Sequence, residues 1–113
     1  MHEMSIAESV LGIVEDVAAR EGFARVSSVR LEIGRLSAIE VPALRFCFDA
    51  VVRGSIAEGA RLDIDETPGT AWCFDCSATV ELASRADPCP ACGGGTLQVN
   101  GGTDMRVKDL VGH

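Results

Sequence analysis

Aromatic and basic residues are scarce in this chain of 113 residues. It has no tyrosine, one tryptophan and four phenylalanines, and its formal net charge is −7 at pH 7. A nucleic-acid-binding protein generally needs a basic surface for phosphates and aromatic rings for stacking on bases. The composition therefore argues against nucleic acid as a partner.

Three further absences narrow the class of protein. No apolar run approaches the length of about 20 residues that a membrane-spanning helix needs, and the start lacks the basic and apolar regions of a secretory signal. We therefore expect a cytoplasmic protein with no membrane partner. Only two histidines are present, His2 and His113. No serine, histidine and acid constellation is available, so we expect no enzymatic activity.

Four of the five cysteines form two Cys-x-x-Cys knuckles, Cys73 with Cys76 and Cys89 with Cys92. We expect residues 77–88 between them to run out and back as a short hairpin, so that four thiolates converge on one ion. A closed four-sulfur set suits Zn²⁺ and leaves no open position for catalysis. Iron in a rubredoxin-like site uses similar knuckles and remains an alternative.

Other uses of the cysteines fit the sequence less well. Disulfides need an oxidising compartment, and the cysteine total is odd. A thioredoxin-like redox pair needs only one Cys-x-x-Cys beside a βαβ unit, whereas two knuckles at ribbon spacing indicate one shared metal. The fifth cysteine, Cys47, lies between two phenylalanines and is predicted to be in the core.

The rest of the chain shows alternating helical and strand patterns. Ser5 and Glu8 have the form of a capping box, apolar residues follow at helical spacing, and Gly22 fits a C-terminal cap, which together predict a helix over residues 5–21. The other predicted elements are, in chain order, a strand over 29–34, a helix from Pro42 to Gly54, and strands over 61–67 and 103–111.

The last predicted strand has the length to return to the sheet made by the first two. The knuckles then lie in an insertion whose hinges are Pro68-Gly69 and Gly101-Gly102. We therefore predict an α+β fold, in which an α/β domain of two helices on a three-stranded sheet carries an inserted four-cysteine zinc ribbon.

The first tripeptide, Met1-His2-Glu3, has the donors of a second metal site. The terminal amine, the amide nitrogen of His2 and its imidazole can close adjacent chelate rings, and Glu3 can supply a further ligand. Nitrogen-rich sets of this kind favour Ni²⁺ or Cu²⁺. A histidine near a terminus is more often solvated and idle, and His113 is predicted to be disordered.

Motifs along essentially the whole chain are shared with a known family. They are Met1-His2-Glu3-Met4-Ser5, Gly34-Arg35-Leu36-Ser37, Phe46-Cys47-Phe48-Asp49, Gly54, Ala57-Glu58-Gly59-Ala60, the two knuckles and Met105-Arg106-Val107-Lys108. Together they resemble the HypA/HybF family of hydrogenase maturation factors. Members are nickel metallochaperones that carry structural zinc and work with a GTPase to load the [NiFe]-hydrogenase large subunit.

The resemblance implies roles for particular residues. His2 and Glu3, with the Met1 amine and backbone nitrogens, match the nickel motif, and the four knuckle cysteines match the zinc motif. It further implies a nickel-binding domain over residues 1–68 plus 102–113 and a zinc ribbon over residues 69–101. The expected partners are a nickel-handling GTPase and the [NiFe]-hydrogenase large subunit, with the chain itself a monomer or homodimer.

The sequence leaves open the role of Glu40, the turn geometry at Ser77 and one alternative function. Glu40 follows the turn at Gly34 to Ser37, where its carboxylate could approach nickel or orient the His2 ring; a solvated carboxylate at a helix start is the alternative. Ser77 follows the first knuckle where many ribbons have glycine. The alternative function is a zinc-ribbon protein-interaction module without nickel transfer.

Overall fold

The structure is a computed structural model that describes residues 2–113. Its elements are α1 (His2–Glu21), β1 (Val26–Gly34), α2 (Val41–Val51), β2 (Arg61–Thr67), β3 (Gly69–Cys73), β4 (Ala78–Leu82), β5 (Leu97–Gly101) and β6 (Met105–Gly112). The strands form two three-stranded sheets, in the orders β2-β1-β6 and β4-β3-β5. The predicted α+β fold, with two helices and a closing strand that returns to the first sheet, is confirmed.

The chain divides into two compact units. The first unit comprises Met1–Leu31, Ile39–Ile64 and Val107–His113, and the second comprises Glu32–Ala38 and Asp65–Arg106. The strands β1, β2 and β6 of the first sheet each have residues in both units, while β3, β4 and β5 lie wholly in the second unit. Within the described residues, no helix has the length and apolar character to cross a membrane.

Helix α1 begins at His2, so the prediction that Ser5 caps its N-terminus is wrong. Ser5 is exposed and lies inside the helix. The buried face of α1 already includes Glu3, two residues before Ser5, and continues through Ala7 and Val10 at helical spacing. Helices in proteins gain most of their stability from packing such a face. Packing of the first turn therefore overrides the local capping signal.

The end of α1 follows the predicted glycine cap. Gly22 has φ +72°, and the Phe23 N–H donates a hydrogen bond to the Ala18 carbonyl at 2.9 Å, as in a Schellman motif.

The C-terminal residue of the chain is hydrogen-bonded to the segment that follows α1. The His113 N–H donates to the Arg25 carbonyl at 2.9 Å, and the His113 carbonyl accepts from the N–H groups of Ala24 and Arg25, which contradicts the predicted disorder of His113.

Helix α2 begins where the sequence predicts. Glu40 is its N-cap residue and a proline lies in its first turn. Leu44, Cys47 and Phe48 are buried, which confirms Cys47 as a core residue. Phe46 lies on the opposite face with 76% of its surface exposed.

The second sheet corrects the predicted hairpin between the knuckles. Strand β4 pairs antiparallel with β3, from Gly69 opposite Leu82 to Cys73 opposite Ala78. The first knuckle is therefore itself the turn that reverses the chain, and residues 77–88 supply one strand and a loop. Strand β5 pairs with the other edge of β3 and brings Leu97 opposite Cys73. Both knuckles thus belong to the same end of this sheet.

Leu36, from the turn after β1, completes the core of the second unit. It packs with buried Ala71 and Leu82, and the half-buried Val80, Leu97 and Val99 contact this cluster. The Leu36 N–H donates to the Gly102 carbonyl at 2.8 Å. A Cβ atom on Gly69 would overlap the Leu36 side chain. The predicted hinge residues are thus closely packed and hydrogen-bonded in the structure.

Candidate metal sites

The four knuckle sulfurs converge as the spacing predicts. The four Sγ atoms all lie within 4.8 Å of one another. The Sγ atoms of Cys73 and Cys92 are 3.7 Å apart, and those of Cys76 and Cys89 are 3.8 Å apart. Four sulfurs placed tetrahedrally at the Zn–S distance of about 2.3 Å would be separated by about 3.8 Å. The cluster thus has the dimensions of a four-thiolate site.

Tight backbone turns hold the second knuckle in shape. Gly93 has φ +74°, and its N–H donates to the Cys89 carbonyl at 2.8 Å. The Gly94 N–H lies 3.4 Å from the Cys92 sulfur, and a Cβ on Gly94 would collide with the Asp75 carboxylate. Positive φ thus favours glycine at position 93, and a side chain at position 94 would require Asp75 to move.

The first knuckle achieves a similar turn without glycine. The Cys76 N–H points to the Cys73 sulfur, with a nitrogen–sulfur distance of 3.4 Å. Ser77 has φ 52°, and among the described residues it is the only non-glycine with positive φ. The departure from the glycine of many ribbons therefore places a side chain in the left-handed region, where it is less favourable.

The sulfurs differ in their readiness to ionise. The backbone N–H of Cys92 donates to the Cys89 sulfur and is the largest cause of lowering the Cys89 pKa to about 7. Hydrogen bonding with the Cys92 thiol, ahead of that with Cys89, raises the pKa of Cys76 to about 12. Of these two sulfurs, Cys89 is therefore the one that ionises more readily near neutral pH.

At the N-terminus the structure places His2 beside Glu3. The His2 Nδ1 atom is 3.1 Å from Glu3 Oε2, and the His2 side chain is 58% exposed. Among residues 2–113, Glu3 is the only buried polar or charged residue. The predicted contribution of the Met1 amine lies outside the described residues. An exposed imidazole is thus joined to a carboxylate that the fold holds in place.

Glu40 contributes to this region through its backbone. Its N–H donates to Glu3 Oε2 at 3.5 Å, at the free N-terminus of α2. The Glu40 carboxylate is exposed and makes no capping hydrogen bond. This use of the α2 N-terminus was not predicted from the sequence. The sequence pattern that could have indicated it is the position of Glu3, an acid that lies four residues before Ala7 and therefore on the buried face of α1.

The His2 and Glu3 atoms and the four sulfurs are separate donor sets with different chemistry. One is a set of nitrogen and oxygen atoms in the first unit, and the other is a closed set of sulfurs in the second. A family model described as "Hydrogenase/urease nickel incorporation, metallochaperone, hypA" matches residues 1–112 of the chain. The chain belongs to the HypA family.

Curated relatives agree with this family over almost the whole length. A hydrogenase maturation factor HypA of Albidiferax ferrireducens is 58% identical over 110 residues, which are 97% of this chain and 97% of that protein. A hydrogenase maturation factor HypA of Azoarcus sp. is 56% identical over 110 residues, covering 97% and 96% of the two chains.

Solved structures of HypA proteins share the fold. The Ni metallochaperone HypA from Helicobacter pylori superposes with a TM-score of 0.69 at 23% identity, covering 97% of this chain and 96% of that chain. A second HypA solution structure gives a TM-score of 0.71 at 25% identity, covering 100% and 97%.

Family membership confirms the resemblance inferred from the motifs. The HypA family consists of nickel-incorporation metallochaperones for hydrogenase maturation. This chain is therefore a maturation factor of that class and not a catalytic enzyme, and it has a four-cysteine site suited to a metal such as zinc.

Proposed function

We propose that this HypA family member binds Ni²⁺ at its N-terminus and delivers it during maturation of [NiFe]-hydrogenase. The ligands are His2 and Glu3, together with the Met1 amine and backbone nitrogens. The observation that carries the proposal is the distance of 3.1 Å between His2 Nδ1 and Glu3 Oε2. Two ligand atoms at right angles on one metal, each about 2.1 Å from it, lie about 3 Å apart.

The start of α1 also favours a metal here. The first N–H groups of a helix have no partner within the helix, so the amides of His2 and Glu3 are not required for its hydrogen bonds. Glu3 is held by the Glu40 N–H, whereas His2 is exposed. A site with one fixed and one solvent-facing side chain can bind nickel and still pass it to an acceptor.

Zinc in this proposal is structural and stays in the second unit, held by Cys73, Cys76, Cys89 and Cys92. Four thiolates close its coordination and supply folding free energy to a unit with a small apolar core. We propose with it the division predicted from the sequence, a nickel-binding domain of residues 1–68 plus 102–113 and a zinc ribbon of residues 69–101.

Protons would compete with nickel at the N-terminus. Nickel binds the unprotonated imidazole and amine, and imidazoles in proteins take up protons between about pH 5 and 8. Nickel affinity is therefore expected to fall as the pH falls through that range. Acidification is therefore expected to release nickel from this site.

A nickel titration of two histidine variants tests the site. His2→Ala should weaken Ni²⁺ binding by at least about tenfold, because it removes a direct ligand. His113→Ala is the matched control, since it removes the chain's other histidine, and it should leave nickel binding unchanged. Equal nickel binding by all three proteins would contradict the proposal and favour a zinc-ribbon interaction module. Zinc content, measured in parallel, should stay constant.

The proposed partners are a nickel-handling GTPase and the [NiFe]-hydrogenase large subunit, and the chain acts as a monomer or homodimer. Affinity capture from cells grown with nickel tests them directly. Recovery of a GTPase and a hydrogenase large subunit would support the proposal. Recovery of a polymerase or nucleic acid in their place would contradict it.

A further inference from the structure

A small cleft in the second unit carries two arginines that the metal sites do not use. It is lined by residues 35–38, in the turn after β1, and by residues 83–85, in the loop after β4, and has a volume of about 230 Å³. Its lining includes Arg35, Arg85 and Leu36, and Leu36 belongs to the apolar core of this unit. The cleft therefore has two cationic side chains and is anchored to the core through Leu36.

The Arg85 guanidinium is oriented by the backbone. Its Nε atom donates to the Leu36 carbonyl at 3.0 Å, which leaves its two terminal nitrogens for other partners. No carboxylate of residues 2–113 forms an ion pair with Arg85. Two terminal N–H groups on one guanidinium match the two oxygens of a carboxylate.

The acids near this cleft already have partners. Glu66 lies 3.5 Å from the Nε atom of Arg35, and both side chains are about half exposed. Asp87 accepts a hydrogen bond from the Ser84 N–H at 3.2 Å. An exposed ion pair such as that of Arg35 contributes little stability and exchanges readily. A second incoming carboxylate can therefore compete with Glu66 for Arg35.

A hydroxyl adds a neutral donor to the lining of the cleft. Ser84 Oγ accepts a hydrogen bond from the Ala86 N–H at 3.2 Å, so its own hydrogen remains to be donated. The Ser37 hydroxyl is already used, since it donates to the Gly34 carbonyl at 2.7 Å. The donors of the cleft with no hydrogen-bond partner among the described residues are thus the terminal nitrogens of the two arginines and the Ser84 hydroxyl.

We propose that this cleft binds an acidic segment of a partner protein, with one carboxylate on Arg85 and a neighbouring carboxylate on Arg35. The donors require an anion. The volume of about 230 Å³ is below the range of about 300 to 1,000 Å³ typical of small-molecule pockets, and it suits one or two side chains.

A peptide titration of the zinc-loaded protein, without nickel, tests the proposal independently of the nickel site. The probe is a blocked peptide of six alternating Asp and Glu residues, and its control is the matching Asn and Gln peptide. Only the acidic peptide should shift the amide resonances of residues 83–86 in a saturable way. Raising the salt to about 0.5 M should weaken this binding, because screening acts on exposed charges.

Four variants separate recognition from a structural role. Arg85→Gln and Arg35→Gln should each weaken peptide binding by about tenfold. Arg20→Gln, in the last turn of α1, is the matched control and should change nothing. Glu66→Gln should strengthen binding, because it frees Arg35, and a purely structural role for that pair would not produce this result.

Three outcomes would overturn the proposal. The first is the absence of a saturable shift with the acidic peptide. The second is equal binding of the neutral peptide or equal binding by the Arg85→Gln variant, with its fold verified by zinc content. The third is binding of inorganic phosphate at residues 83–86 without binding of the peptide, which would make the cleft a small-anion site.

Discussion

At the scale of single residues, the four cysteine sulfurs are chemically unequal although they lie within 4.8 Å of one another. The pKa of Cys89 is lowered to about 7, mainly by the Cys92 backbone N–H. The pKa of Cys76 is raised to about 12, with the Cys92 thiol as the largest cause. Because zinc binds thiolates, the pH decides how many protons it must displace.

This inequality predicts a pH-dependent proton release on zinc binding. Between pH 6 and pH 8, Cys89 in the folded cluster changes from mostly protonated to mostly ionised, so zinc binding to that cluster should release fewer protons at pH 8 than at pH 6. Zinc affinity should therefore rise with pH over this window and fall in acid. Calorimetry in two buffers of different ionisation enthalpy measures the count. A constant count between pH 6 and pH 8 would contradict the lowered pKa.

Single residues also show what sequence reasoning could reach. The four cysteines were identified from spacing alone, because metal geometry constrains both members of each knuckle. The contact between Glu3 and the Glu40 N–H could not be identified in this way. It depends on two segments that are far apart in sequence and that meet only after α1 and α2 pack.

At the scale of elements, α1 shows where local signals prevail and where they fail. The helix ends at Glu21 and is capped by Gly22, as predicted, because positive φ at position 22 favours glycine over any side chain. Its N-terminus extends beyond the capping box at Ser5, because the buried face continues to Glu3. The hairpin predicted between the knuckles failed for a related reason, since the first knuckle itself reverses the chain.

Two glycines of the same helix should respond oppositely to substitution by alanine. Gly22→Ala should lower the free energy of unfolding by about 1 kcal/mol, because alanine is disfavoured at φ +72°. Gly12→Ala should raise the free energy of unfolding by about 0.5 to 1 kcal/mol, since a Cβ there meets nothing within 4 Å and alanine is more favourable than glycine inside a helix. Denaturant unfolding of the zinc-loaded proteins measures both. Changes of the same sign would contradict this description of α1.

At the scale of the whole molecule, the two compact units depend on different sources of stability. The first unit has a broad apolar core, with Val10, Val14, Leu31 and Phe48 among its fully buried residues. The buried apolar cluster of the second unit consists of Leu36, Ala71 and Leu82. A small domain of this kind usually needs a metal to stay folded.

Removal of zinc by a strong chelator should therefore affect the units unequally. Amides of β3, β4 and β5 should lose protection from hydrogen exchange, while amides of α1 and α2 keep theirs. Restoring zinc should restore protection. Parallel loss of protection in α1 and β3 would show that the units do not differ in this dependence.

Nickel should be carried at the N-terminus, apart from the cysteine cluster. A nickel titration, with metal analysis of the products, compares the protein with a variant that has two glycines added before Met1. Two added residues move the terminal amine away from His2 and so break the adjacent chelate rings, whereas a single one would place the histidine third in the chain and build a new chelate of amine, amides and imidazole. We expect the variant to keep about one zinc per chain and to bind nickel at least about tenfold more weakly. Nickel affinity that is unchanged by the added residues would contradict nickel binding at the N-terminus.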